Sequence, residues 1–188
     1  MGYLPRKYSP IYEKIKHGDV IILLGSSSVH SNGITLVRRL AAKEPNDGLQ
    51  LCREALVPTR IYVSAMNALL VSGIVPHYAI HITGHGFRKI MRARPEFTYV
   101  IEDVPVPHRI FGTIQKLGNI KPREMWGNYN MGAGFALIVD PKQADATVLA
   151  CSKAGYSTFV AGHVENGPKQ VKILPAKITF EDDSMKLR

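Results

Sequence analysis

The chain has 188 residues, a length suited to one domain or one and a half. Hydrophobic residues make up 45% and charged residues 21%, which are globular proportions that exclude global disorder; no apolar stretch approaches the roughly 20 residues of a membrane span. The net charge of +9 comes from scattered Lys and Arg with no basic run and no aromatic-rich strand, so the expected ligand is an anionic small molecule, concentrated by the positive field, and not nucleic acid.

Residues 1–17 are polar, carry Pro5 and Pro10, and read as an arm; no apolar segment follows Arg6–Lys7 as a signal peptide requires. Cys52 and Cys151 are too few for a disulfide framework or a zinc site. Both features fit a cytoplasmic protein. One domain is expected over 18–180, with 181–188 as a frayed tail.

A buried strand is predicted from Asp19 to Leu24, followed by a Gly/Ser-rich turn, Gly25 to Gly33. Ile34, Val37, Leu40 and Ala41 then recur at helical spacing, with Ser31 or Asn32 as the N-cap. Residues 44–58 read as a loop with at most one helical turn, opened by Pro45-Asn46-Asp47-Gly48. A helix follows over Ile61–Val71, then a strand over Tyr78–Ile82. After a glycine turn, Thr83 to Gly86, comes a short basic helix, Phe87–Arg92. The remainder reads as a strand over Phe97–Glu102, a helix over His108–Leu117, a strand over Met131–Val139 and a helix over Lys142–Ala154. Strands over Ser157–Val164 and Val171–Leu174 close the chain. The irregular spacing implies an α+β fold, a layered sandwich of a mixed β-sheet with flanking helices, and not a regular doubly wound sheet.

Four motifs can carry chemistry. In Gly25-Ser26-Ser27-Ser28-Val29-His30-Ser31-Asn32-Gly33 a strand turns into a helix, which aims backbone amides and the positive end of the helix dipole at one place, as a phosphate requires. Hydroxyls and the Asn32 amide add donors, and His30 can serve as a general acid or base. The pattern is neither a Walker A loop nor a dinucleotide fingerprint; an ordinary capped turn is the plain alternative. In His81-Ile82-Thr83-Gly84-His85-Gly86-Phe87 another strand ends in glycines, and Arg88, Lys89 and Arg92 follow. Cations there oppose the helix dipole, so either a bound anion or a solvated basic face explains them. His81 and His85 lack a third ligand, so no metal site is expected. Gly132 and Gly134, opening a strand after Asn128-Tyr129-Asn130-Met131, signal a bulge or a ligand contact. Arg60, in Val57-Pro58-Thr59-Arg60-Ile61-Tyr62-Val63, offers a fork for a phosphate or carboxylate, or holds an interface.

Taken together and in order, GDVIILLGSSSVHSNGITLVRRL, PTRIYV, HITGHGF, LGNIKPREMWGNYNMGAGFALIV and GYSTFVAGHVENG resemble the C-terminal domain of the AIR synthase (phosphoribosylformylglycinamidine cyclo-ligase) family, over residues 18–174. The resemblance implies a purine-biosynthetic ligase that converts formylglycinamidine ribonucleotide and ATP to aminoimidazole ribonucleotide, ADP and phosphate. It implies that ATP and Mg2+ are held by an N-terminal ATP-binding domain or separate subunit, which this chain is expected to lack, so that neither is bound by this chain alone. A homodimer is compatible with it. His30 is the implied catalytic residue, and Ser26, Ser27, Ser31, Asn32, Gly33, Arg60, Thr83, Gly84, Gly86, Asn130 and Gly132 are the implied contacts to a phosphorylated substrate. Two family glycines are replaced, by Ser28 and His85. A left-handed backbone at His85 would cost on the order of 1 kcal/mol. The competing expectation is a stand-alone, non-catalytic phosphate- or nucleotide-binding module of the same superfamily.

Overall fold

A computed structural model describes residues 14–44 and 48–185. In chain order the elements are β1 (Val20–Gly25), α1 (Ile34–Ala41), α2 (Gly48–Ala55), α3 (Val63–Val71), β2 (Tyr78–His81), a 3-10 helix (Gly86–Arg92), β3 (Thr98–Ile101), α4 (Arg109–Gly118), α5 (Pro122–Asn128), β4 (Ala133–Val139), α6 (Ala144–Lys153), β5 (Thr158–Glu165), β6 (Gln170–Ile173) and β7 (Ile178–Glu181). The strands form one sheet in the order β2-β4-β1-β5-β3-β6-β7. The β3–β6 pair is parallel and the others are antiparallel, so the sheet is mixed, as expected.

β1 lies inside the sheet, between β4 and β5, and is apolar on both faces. Ile21 and Leu23 point into one core with residues of α1, α2, α4, α5 and the 3-10 helix. Ile22 and Leu24 point into a second core with residues of α3 and α6. All four are fully buried, and each contributes about 2 kcal/mol of burial. Alternation along a strand therefore divides the helices into two layers around the sheet.

The structure departs from sequence expectation at several elements. The 44–58 segment contains a two-turn helix, α2, whose Leu51 and Ala55 meet the core four residues apart; Pro45, Asn46 and Asp47 lie outside the described residues, as does the arm up to residue 13. The N-cap of α1 is Gly33 at φ 76, with no side-chain cap. Ser31 and Asn32 are unavailable for that role because their side chains bond Thr59 and the Asn128 carbonyl instead. The basic helix after Gly86 is a 3-10 helix. Two elements were not anticipated, α5, which opens on Pro122, and β7, which pairs with β6. Beyond β7, residues 182–185 form a 3-10 turn whose Ser184 carbonyl accepts from Arg88 at 2.7 Å.

Candidate functional site

The turn after β1 is built from long-range hydrogen bonds. Asn130 is 1% exposed. Its Oδ1 accepts from the Ser26 hydroxyl (2.9 Å) and the Gly132 amide (3.0 Å), and its Nδ2 donates to the Ser28 carbonyl (2.9 Å). The Ser26 amide donates to the Gly132 carbonyl. One side chain therefore ties the Ser turn to the segment that opens β4. Ser27 Oγ donates to the Pro58 carbonyl at 2.7 Å, and Ser31 Oγ lies 3.0 Å from Thr59 Oγ1, so the 56–63 strap is laced to the same turn.

His30 sits behind this turn at φ 58 and is 2% exposed. The Ser27 amide donates to its Nε2 at 3.2 Å, so Nε2 carries the lone pair and Nδ1 the proton. That Nδ1–H faces His81 Nε2 at 3.4 Å. Burial pushes the His30 pKa down to about 4, helped by His81, His108 and Arg60. Burial, then Lys89, also lowers the His81 pKa. Neutral His30 with both nitrogens committed is suited to fixing the Ser27 amide. Gly134 makes room for this packing: a Cβ there would overlap the Tyr62 hydroxyl and lie 2.6 Å from His30 Cε1. Gly134 is also the extra residue of a bulge, since Leu24 pairs with Phe135 and Gly25 with Ala133.

The second glycine turn lies beside the first. Asn32 Nδ2 donates to the Asn128 carbonyl at 2.5 Å, and a Cβ on Gly84 would sit 3.2 Å from Asn32 Oδ1. Gly86, at φ 48, packs so closely on α5 that a Cβ would overlap the Trp126 carbonyl. Lys89 folds back onto the Thr83 hydroxyl. Arg88 is held by the carbonyls of Gly127 and Ser184 and by Asn128 Oδ1. Protein acceptors thus account for these two cations without a bound anion. Among the described residues no group of three or more His, Cys, Asp or Glu could hold a metal ion.

The predicted residues divide between two places. Ser26, Arg60 and Gly132 line one groove of about 340 Å³ together with His108, Asp103, Ser157 and Phe159. Asn130 braces that groove from within. Arg60 stacks 4.9 Å over the Tyr156 ring, and its Nη2 donates to the Gly155 carbonyl at 2.6 Å. The two turns meet where Gly84 lies against Asn32; Thr83 and Gly86 flank Gly84 in the chain, Gly33 follows Asn32, and Ser31 bonds the strap. Gly33, at φ 76, admits the Tyr129 ring, which a Cβ would overlap.

Residues 16–174 match the family described as AIR synthase related protein, C-terminal domain. The chain belongs to that family. It is similar to the phosphoribosylformylglycinamidine cyclo-ligase of Methanocaldococcus jannaschii, 38% identical over 164 residues, covering 80% of this chain and 45% of that protein. The cyclo-ligase of Methanopyrus kandleri is 40% identical over 161 residues, covering 82% and 46%. The chain thus spans about half the length of the curated relatives it matches. Among solved structures, E. coli HypE, a hydrogenase maturation protein, shares the fold at TM-score 0.56 and 13% identity, covering 90% of this chain and 51% of that one. Phosphoribosylformylglycinamidine synthase II of Thermotoga maritima does so at TM-score 0.52 and 12% identity, covering 88% and 25%.

From the sequence, Tyr62 and Asp103 have no assigned role and His108 reads as a surface residue, whereas all three pack around the turn after β1 and His108 is half-buried. Tyr62 donates to the Gly25 carbonyl at 2.9 Å and stacks on Phe135 and Tyr156. His108 and Asp103 enter the groove from the 103–108 segment. The available signal was a histidine at a helix start behind two prolines, Pro105 and Pro107.

Proposed function

We propose that this domain is the substrate-side half of a phosphoribosylformylglycinamidine cyclo-ligase of purine biosynthesis, which closes the ring of aminoimidazole ribonucleotide from formylglycinamidine ribonucleotide with ATP. The observation that carries the proposal is the braced groove at the Ser turn, found in a chain 38% and 40% identical to curated cyclo-ligases. Arg60 supplies a cation for the substrate phosphate, and Ser26 and Gly132 allow close approach of the backbone. Asn130 holds their geometry. His30 contributes by fixing the Ser27 amide, and Ser27, Ser31 and Asn32 set the rim, with Gly33, Thr83, Gly84 and Gly86 shaping the adjoining edge. When bound, ATP supplies the phosphoryl group that makes the formyl amide oxygen a leaving group. The donor set among the described residues does not fit Mg2+, so ATP and Mg2+ would be held by another half.

The strap beside the groove supports such a partner. Leu56 (77%), Ile61 (73%) and Val63 (62%) are exposed within eight residues, although the strap is laced to the Ser turn. Exposed apolar side chains in a cluster mark an interaction surface. We place the ATP-binding half there, in one polypeptide or as a separate subunit. No helix among the described residues is long and apolar enough to cross a membrane, and we place the reaction in the cytoplasm.

Reconstitution tests the proposal. The 188-residue chain alone should show no cyclo-ligase turnover, and adding a cyclo-ligase ATP-binding half should restore it. Turnover by the chain alone would overturn the division of labour. Left-handed His85, where the resemblance implies glycine, favours a second reading, a stand-alone phosphate-binding module. Nucleotide binding without rescue by any ATP-binding half would select it.

A further inference from the structure

His108, which lines the groove, has a defined tautomer and a ring nitrogen left over. Its Nε2 lies 2.9 Å from the Ser26 carbonyl. A carbonyl only accepts, so Nε2 carries the proton and Nδ1 carries the lone pair. Among the described residues Nδ1 has no hydrogen-bond partner. The ring is held in place on several sides. His108 caps α4 at φ −58, its carbonyl accepts from the Phe111 amide, and its ring lies 6.2 Å from the Phe111 ring. Pro105 and Pro107 stiffen the segment before it. Gly132, at φ 96, lets that segment seat closely: a Cβ there would stand 3.1 Å from Pro105 and 3.2 Å from the Val106 carbonyl.

Among the residues that line the groove are one cation, Arg60, and two side chains with an unused acceptor, His108 through Nδ1 and Asp103 through its carboxylate. One Asp103 oxygen is occupied by the Val104 amide at 2.8 Å, which leaves the other to accept. A bare anion satisfies only Arg60. A ligand that carries hydroxyl donors beside an anionic group satisfies all three, which describes a sugar phosphate. We propose that His108 is a specificity-determining residue of the groove, whose Nδ1 accepts a hydrogen bond from a sugar hydroxyl while the phosphate lies toward Arg60. The proposal rests on the phosphate-binding role given to the groove above.

The two nitrogens of His108 can be separated by substitution. In His108→Gln the side-chain amide N–H reaches the Ser26 carbonyl as Nε2 does, and no acceptor remains at the Nδ1 position. In His108→Asn the amide oxygen takes the place of Nδ1. Calorimetric titration of the full chain should show ribose 5-phosphate binding about tenfold tighter than inorganic phosphate, the worth of one good hydrogen bond. His108→Gln should abolish that preference, with phosphate affinity and melting temperature unchanged, and His108→Asn should retain most of it. The 15N resonance of His108 Nδ1 should move with ribose 5-phosphate and stay in place with phosphate. A His108→Gln chain that keeps the preference, or a wild-type chain with none, overturns this assignment and leaves reconstitution of the cyclo-ligase unaffected. Binding of neither anion removes both this assignment and the phosphate role of Arg60.

Discussion

The two strand-to-helix turns each place a histidine in the left-handed backbone region, His30 at φ 58 and His85 at φ 78, and they treat it in opposite ways. At His30 the ring is buried, accepts from the Ser27 amide and faces His81. At His85 the ring is half-buried and makes no hydrogen bond among the described residues; only its carbonyl is used, by Arg88. Left-handed backbone costs roughly 1–2 kcal/mol in each case. The first turn recovers that cost through the side chain, and the second through backbone contacts that any residue could make. The side chain should therefore stabilise the fold at 30 and contribute nothing to it at 85, where only the strain of a Cβ at positive φ remains.

The largest effect is expected from His30→Val. It removes the acceptor for the Ser27 amide and the contact with His81, leaves a void beside Tyr62, and puts a β-branched residue at positive φ. These losses sum to about 4 kcal/mol, read as a lower denaturation midpoint at constant m. His30→Asn, which tolerates left-handed backbone, should lose about half as much. Equal losses would mean that the left-handed backbone at 30 adds nothing to the cost of valine.

Next in size is a pH effect of the same ring. The folded pKa of His30 is about 4, below its ordinary value of 6.5. The unfolded chain therefore binds the proton more tightly, so His30's contribution is complete above pH 6.5 and is lost as pH falls from 6.5 to 4. The loss totals about 3 kcal/mol, and His81 acts in the same direction. His163, raised chiefly by its hydrogen bond to Glu165, acts oppositely: its contribution is present below 6.5 and lost as pH rises through the raised value. Unfolding midpoints across this window should fall with acid in the wild type and flatten in His30→Asn. An unchanged slope in the variant would show that His30 is not the titrating group.

The sequence makes some of this legible and hides the rest for definite reasons. The Val20–Leu24 run announces a strand buried on both faces, and the 34/37/40/41 spacing announces α1. α2 is obscure because Leu49 and Leu56 are exposed while Leu51 and Ala55 are buried, so its apolar face is blurred along the chain. β7 has four residues, and its partner β6 is supplied by the fold. In the site, the Gly/Ser and Gly/Asn motifs are visible singly. The bond from Ser26 to Asn130 spans 104 positions, which no local spacing encodes, and only the ordered resemblance brought the two motifs together. The burial of His30 beside Tyr62 and Gly134 likewise depends on three distant segments, so the packing around a residue that reads as a candidate acid or base is not visible in the local sequence.

Smaller effects follow at Ser28 and His85, the two positions where the resemblance implies glycine, and the contrast between the turns predicts opposite signs. Ser28 is not in the left-handed region. It is 3% exposed, and its hydroxyl donates to the Glu54 carbonyl at 2.7 Å, near the C-terminal end of α2. Ser28→Gly should destabilise by about 2 kcal/mol, combining a lost hydrogen bond, an unsatisfied helix carbonyl and added backbone freedom.

His85→Gly should do the reverse. Glycine takes φ 78 without the steric cost that a Cβ brings, and the Arg88 bonds to the residue 85 backbone persist because they use its carbonyl. The extra freedom of glycine in the unfolded chain offsets part of the gain, leaving a stabilisation of about 0.5–1 kcal/mol. Thermal unfolding of the two variants side by side decides the matter. If both glycine replacements destabilise the chain, His85 makes side-chain contacts that compensate its backbone, and the contrast between the two turns fails. If His85→Gly stabilises the chain while Ser28→Gly destabilises it, His85 is a tolerated strain at the edge of the site, and Ser28 holds the end of α2 through its hydroxyl.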